Sequence, residues 1–396
     1  MHATEALESI TSIFDPQTTR ELLVGMVRVP SFQTDQFEAD PQVRAFIAEW
    51  VRPRVAQLAA GQARLDAMGN LLWRMGPRDG TSLLLMGYAM TFPPTTMPDP
   101  FAGPVLDGGP YGIRGSCVWG RGVCEQKGPL AAMLQAVSLV AAAGVPLRGE
   151  LLLAVSTAGE TGRHDAARHL VEQAGARARL GVVGLGTGNR IGLGNKGRLD
   201  IEVLVHGRAA HSSAPWDGVD AIEGARAVME RLELARPTAV HPHLGPATLT
   251  KTKIESFPAA PHTVQDLCRI VLDRRLLPGE EPARVLTAIR QAVGEIPRYQ
   301  VEVKPGALMY PAEVAADCAI ARALAAAGQV VLGTTTDVFY SDAALDAGYL
   351  NRAGIETLMF GPGDLRFAHT DHEVIALAEV EAAAKILAVL ALSVLA

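Results

Sequence analysis

The chain is expected to form an α/β fold: a mixed, mostly parallel sheet flanked by helices, with a ferredoxin-like α+β domain inserted into it. Three observations lead there. SLLLMGYAM (82–90) and ELLLAVSTAG (150–159) are continuous apolar runs, as strands buried on both faces are. GPLAAMLQAVSLVAAAG (128–144) lies between them with helical period and stops at a glycine, which gives a β-α-β alternation. Beyond residue 197 the texture changes to alternating strands in the order β-α-β-β-α-β.

Each part of that inserted segment follows from its pattern. RLDIEVLVHGR (198–208) alternates apolar and polar residues, as a half-exposed strand does, and a helical run continues from Asp217 to about Leu234. TLTKTKIESF (248–257) and DLCRIVLDRRL (266–276) alternate again, a second helix covers 281–296, and RYQVEVKPG closes the set. From Pro311 the α/β character returns. The expected division is therefore 1–197 and 307–396 for the catalytic domain, with 198–306 inserted. A chain of 396 residues also exceeds the roughly 250–300 at which one core stops growing.

Composition removes several functions. Apolar residues make up 48% and charged residues 20%, as in an ordinary globular enzyme. A net charge of -6 leaves no basic field for nucleic acid or anionic lipid. The apolar C-terminal stretch ILAVLALSVLA is too short to span a bilayer and reads as the end of a buried helix, or one docked on a partner. No apolar leader follows the N-terminus, and the 4 cysteines are sparse, so reduced thiols and a cytoplasmic setting are expected.

Ligands of open α/β sheets bind beyond the carboxyl ends of the strands, where Tyr88, Met90, Gly159 and Glu160 fall. Six segments carry a resemblance: GYAMTFP (87–93), GRGVCEQKGPLAAML (120–134), STAGETG (156–162), GRAAHSSAP (207–215), LDRRLLPGE (272–280) and FGPGDLRFAHTDHE (360–373). In order and spacing the chain resembles the metallopeptidase family of aminoacylase, acetylornithine deacetylase, succinyl-diaminopimelate desuccinylase and bacterial glutamate carboxypeptidase.

The resemblance implies two zinc-like ions sharing a carboxylate, each with its own His and carboxylate, plus a Glu acting as general base. It also implies a homodimer formed through the inserted domain and a small substrate bearing a carboxylate. This chain departs from the pattern at several places. Where the family has Gly-His-x-Asp it has Gly87-Tyr88-Ala89-Met90; the bridging Asp is Glu125; the Glu-Glu pair is Gly159-Glu160, so the base is gone. A further metal carboxylate aligns with Leu185, whereas the last His survives as His369, with Glu373 in place. Glu125, Glu160 and His369 are the set serving one ion, a reasonable three-ligand site with an open position. One ion, or none in a polar cleft, both stay open.

Other family positions persist. His211 matches the inserted-domain His that reaches into the partner subunit's site, and Arg275 the region whose Arg forks onto the substrate carboxylate. Asp346 matches an Asp near the site, with helix capping as its alternative role. His262 stands where the family has Asn, so substrate contacts there have changed. Cys124 is a candidate nucleophile against a buried small residue, and Tyr88 a candidate general acid. His164 and His169 are read as surface-helix residues, His372 as a site or solvated residue, and Lys127 and Lys196 as structural.

Three functions follow. The first is hydrolysis of an amide bond in a small N-acylated amino acid or similar carboxylate, with Glu125, Glu160, Tyr88, His211 and His369 as the catalytic set and Arg275, His262 and Asp346 on the substrate. The second is metal-independent acid–base chemistry (elimination, isomerisation or cyclisation) in the same cleft. The third is a catalytically inactive binding homologue.

Overall fold

A computed structural model describes residues 1–396, and these divide into two compact units, 1–194 with 313–340 and 349–396, and 195–312 with 341–348. In the first unit, Ser82–Tyr88 lies between Glu150–Ser156 and Leu180–Gly184, parallel to both, and Glu356–Phe360 runs parallel to Leu180–Gly184. Gln62–Leu65, Leu71–Met75 and Ile191–Asn195 extend this centre with antiparallel pairings. The central strands are apolar throughout because helices cover both faces, which leaves no solvent side to carry polar residues.

Two helices explain the most apolar stretches. Gly128–Ala142 and Leu377–Leu395 pack against each other, and most residues of each are buried. The C-terminal run is thus core of its own unit, and no helix is long and apolar enough to cross a membrane. Fully burying one such leucine stabilises the fold by roughly 1.5–3 kcal/mol. Gly87 fits the same packing: a Cβ there would stand 3.0 Å from the Leu130 side chain, so strand and helix approach closely.

The second unit has a four-stranded antiparallel sheet in the spatial order Thr248–Phe257, Leu267–Leu276, Gly197–His206, Gln300–Met309. Strict alternation sets its faces. Leu199, Ile201, Val203 and Val205 join Cys268, Ile270 and Leu272 beneath the helices Ala221–Leu232 and Pro282–Val293. On the open face Arg198 meets Asp200 at 2.7 Å and His206 meets Glu302 at 2.9 Å. The first helix starts later than its period suggests because Asp220 caps it, accepting from the Ile222 amide.

Candidate active site

The carboxyl edge of the first unit's sheet gathers the chemistry. Ser82–Tyr88 ends at Tyr88, Glu150–Ser156 runs into the loop bearing Glu160, and Leu185 follows Leu180–Gly184. A further loop, 120–127, supplies Glu125 and is held by one buried carboxylate. Glu373 accepts from Arg121 Nη1 and the Gly122 amide through Oε2, both at 3.0 Å. Its Oε1 accepts from the Cys124 amide at 3.2 Å and from the Cys124 thiol at 3.3 Å. Glu373 is brought there by Val374–Ala376, which pairs with Ser116–Trp119 in a small separate sheet. Behind the loop, Cβ atoms on Gly186 and Gly363 would lie 2.0 and 2.2 Å from the Cys124 carbonyl oxygen, so both positions require glycine.

These supports converge Glu125, Glu160 and His369, whose ligand atoms all lie within 4.8 Å of one another. His369 Nε2 is 3.0 Å from Glu125 Oε2 and 3.6 Å from Glu160 Oε2. His369 has φ +62, a region that costs a non-glycine residue, and its ring stacks on Phe92 at 3.9 Å with 12° between planes. Gln126 Nε2 donates to Glu160 Oε1, which leaves Oε2 facing the histidine. Hydrogen bonds to Glu125 and then Glu160 push His369 up to about 10. Burial raises the Glu160 carboxyl against the lowering pull of its hydrogen bond to His369.

Two carboxylates and one imidazole around a common point fit a single divalent ion; oxygen and nitrogen donors of this kind suit zinc. The residues that the resemblance sets against the other ion's ligands offer less. Leu185 and Met90 are buried hydrocarbon and thioether, and Tyr88 is a buried phenol with a partner of its own. Gly159 is more than a truncated glutamate. A Cβ there would meet the Met90 backbone oxygen at 2.2 Å, so the main chain of residue 90 occupies the space a side chain would need.

His211, His262, Arg275 and Asp346 belong to the second unit. His211 pairs with Thr263 across a two-residue strand, and the His262 carbonyl accepts from the Ser212 amide at 2.9 Å, so the two histidines come together on one edge. Both are exposed, with His211 Nδ1 2.8 Å from Ser213 Oγ. Arg275 donates to Asp273 at 2.9 Å, and Asp346 is buried one residue before the helix Ala347–Arg352.

The remaining candidates sort by burial. Cys124 is fully buried, and burial pushes its thiol well above the ordinary value, which suits a small packing residue better than a nucleophile. His164 is buried and rests 5.5 Å from the Tyr349 ring, contrary to a surface-helix role; His169 is half-buried, 3.8 Å from Asp66. His372 is exposed and sets its edge on Trp119. Lys127 is structural: its ammonium donates to the Met26 and Val29 carbonyls at 3.0 and 2.8 Å, and burial brings it down to about 7. Lys196 pairs with Asp342 at 2.8 Å. Phe92 and Gln126 were not singled out from the sequence. Gln126, next to Glu125 in the loop, carried the stronger signal.

A model of the peptidase family M20/M25/M40 matches residues 94–393. Acetylornithine deacetylase of Myxococcus xanthus is 30% identical over 267 residues, 65% of this chain and 67% of the relative. An M20 family metallo-carboxypeptidase of Sulfolobus solfataricus shares the fold with TM-score 0.73 and 16% identity, over 93% of this chain and 97% of that one. The YXEP protein of Bacillus subtilis, described as a dinuclear metal binding peptidase, does so with TM-score 0.65 and 16% identity, over 96% and 99%. With the family match spanning most of the sequence and the shared fold nearly all of it, the chain belongs to peptidase family M20/M25/M40.

Proposed function

We propose that this protein hydrolyses an amide bond in a small N-acylated amino acid or similar carboxylate, with Glu125, Glu160 and His369 as a single-ion site. The observation that carries this reading is the convergence of those three side chains, in a chain that otherwise departs from the family's ligand pattern. A divalent ion such as zinc would there polarise the scissile carbonyl as a Lewis acid.

The chain's own groups divide the rest. Glu160, whose Oε2 lies 3.6 Å from His369, is placed to share the proton work of the glutamate missing at Gly159. Tyr88 supplies a phenol at the strand end for the leaving nitrogen. Arg275 is the fork for a substrate carboxylate, with Asp273 as its resting partner. His262 and Asp346 complete the substrate contacts. The second unit serves dimerisation, supported by the free edge of Thr248–Phe257, with His211 reaching a partner subunit's cleft. Free cysteines at 117, 124, 268 and 318 suit a reducing, cytoplasmic setting.

One observation favours a second reading, metal-independent acid–base chemistry. His369 already sits between two carboxylates as a proton-holding triad, 3.0 Å from Glu125. Metal analysis of the purified protein, followed by chelation, separates the two. A stoichiometric ion whose removal abolishes amide hydrolysis supports the first. Activity untouched in metal-free protein refutes it. Glu160→Ala or His369→Ala without effect on turnover would count against both.

A further inference from the structure

The hairpin that begins the first unit's sheet turns at the sheet's carboxyl edge. Gln62–Leu65 and Leu71–Met75 pair antiparallel, and Leu71 stands opposite Val155. The turn 66–70 therefore meets the end of Glu150–Ser156, where the Glu160 loop leaves the strand. The turn is closed by its own aspartate. Asp66 Oδ1 accepts from the Met68 and Asn70 amides at 2.9 and 3.0 Å, and the Asp66 amide donates to the Asn70 carbonyl at 2.9 Å.

Asn70 is fully buried and bonds in two directions from this turn. Its Nδ2 donates to Asp66 Oδ2 at 2.8 Å, and its Oδ1 accepts from the amide and the hydroxyl of Thr157, at 2.8 and 3.0 Å. Thr157, also fully buried, is the first residue beyond the strand. Only a carboxamide answers both neighbours. An aspartate would set a carboxylate against Asp66, and a leucine would leave two buried donors of Thr157 unpaired, which native structures avoid. The same turn also approaches the loop's far end, with Asp66 Oδ2 3.8 Å from His169 Nε2 on the helix Asp165–Glu172.

We infer that Asn70 is a positioning residue of the candidate site: it fixes where the loop 157–164 starts, and so where Glu160, three residues after Thr157, presents its carboxylate. The inference rests on the reading of Glu160 as an ion ligand. On the opposite flank the Ala158 carbonyl accepts from the Met90 amide at 3.3 Å, and Gly159 lies against the Met90 carbonyl. The start of the loop is thus gripped from both sides, by main chain at Met90 and by a side chain at Asn70. Glu160 follows directly on that grip.

Hydrogen exchange of the metal-free full chain tests it first. Thr157→Val removes one hydrogen bond to Asn70 at nearly constant shape, and Thr157→Ser keeps it. Exchange across 157–164 is expected to be about fivefold faster in the valine variant, the worth of one neutral hydrogen bond, and at the wild-type rate in the serine variant. Asn70→Ala removes both bonds and exceeds the valine effect; where it does not fold, the Thr157 pair still decides. Zinc affinity, read by competition with a chelating dye, falls by a similar factor in Thr157→Val, but not when Glu160→Ala is already present, because the effect runs through Glu160. A generally weakened fold would give the same loss in both backgrounds. Unchanged loop exchange in Thr157→Val, or an equal zinc loss with and without Glu160, would overturn the inference. A wild type that binds no zinc would sink the ion site instead, and loop exchange would still decide whether Asn70 holds the loop.

Discussion

Phe92 offers the sharpest test of the proposed ion site. His369 holds a left-handed backbone, so its ring direction is set by what touches it: two carboxylates on one side and the Phe92 face 3.9 Å away. A stacked aromatic pair contributes about 0.5–1.5 kcal/mol beyond its buried area, which is roughly a two- to tenfold change in an equilibrium constant. Phe92→Leu removes the stack and leaves every proposed ligand in place; Phe92→Tyr keeps the ring. Zinc affinity read by competition with a chelating dye is expected to fall two- to tenfold in the leucine variant. In the tyrosine variant it stays at the wild-type value. Phe92 is only half-buried, so thermal melts should move little in either. Equal zinc affinity in all three proteins would show that the stack does not orient the histidine. Failure of the wild type itself to bind zinc would refute the ion site.

Three further outcomes follow from the same geometry. Gln126→Leu takes the amide donor from Glu160 and is expected to lower zinc affinity by roughly tenfold or more, as loss of a ligand's outer partner does; the same dye competition reads it. Gly159→Ala forces a methyl to within 2.2 Å of the Met90 carbonyl and should cost about 1–3 kcal/mol in urea unfolding; an unchanged midpoint would mean that the main chain there yields freely. Glu379 is held above the ordinary glutamate value of 4.5 by burial, so the native state binds its proton more tightly than the unfolded chain. Its contribution to stability is complete below that value and lost as pH rises through the raised one. Glu379→Gln should therefore be more stable than wild type at neutral pH and gain nothing in acid, as urea midpoints across that range would show.

The fold was legible because each of its signals is local. Uninterrupted apolar runs marked the central strands, and alternation marked the second unit, where Leu199 to Val205 face inward at every second residue. The Glu125, Glu160 and His369 positions were legible because they stand in ordered motifs. What could not be read were contacts between distant parts of the chain. Phe92 meets His369, and Glu373 binds the loop at 121–124, through packing that no window of sequence contains. Burial misled in the same way. The five-residue spacing of His164 and His169 argues against a shared helix face, yet His164 is buried. It precedes the helix Asp165–Glu172, so helical spacing does not govern where its ring lies.

On the proposed reading, the substitutions at residues 90 and 159 form a single structural change. In the sequence the missing base looks like a side chain deleted, something a glutamate at 159 would restore. The structure gives a different account, because the Met90 carbonyl stands where that Cβ would go, and no side-chain exchange at residue 90 removes a backbone oxygen. The backbone of 89–90 is tied in place by hydrogen bonds from the Ala89 and Met90 amides to the Ser156 and Ala158 carbonyls, at 2.9 and 3.3 Å. Returning Tyr88→His, Met90→Asp and Leu185→Glu can add donors without disturbing these bonds, whereas Gly159→Glu cannot. Side-chain exchange at 88, 90 and 185 is thus expected to leave this backbone in place, whereas any side chain at 159 has to displace the Met90 carbonyl. Any proton transfer in the cleft has to be carried by groups already present, which directs attention to Glu160 and Tyr88.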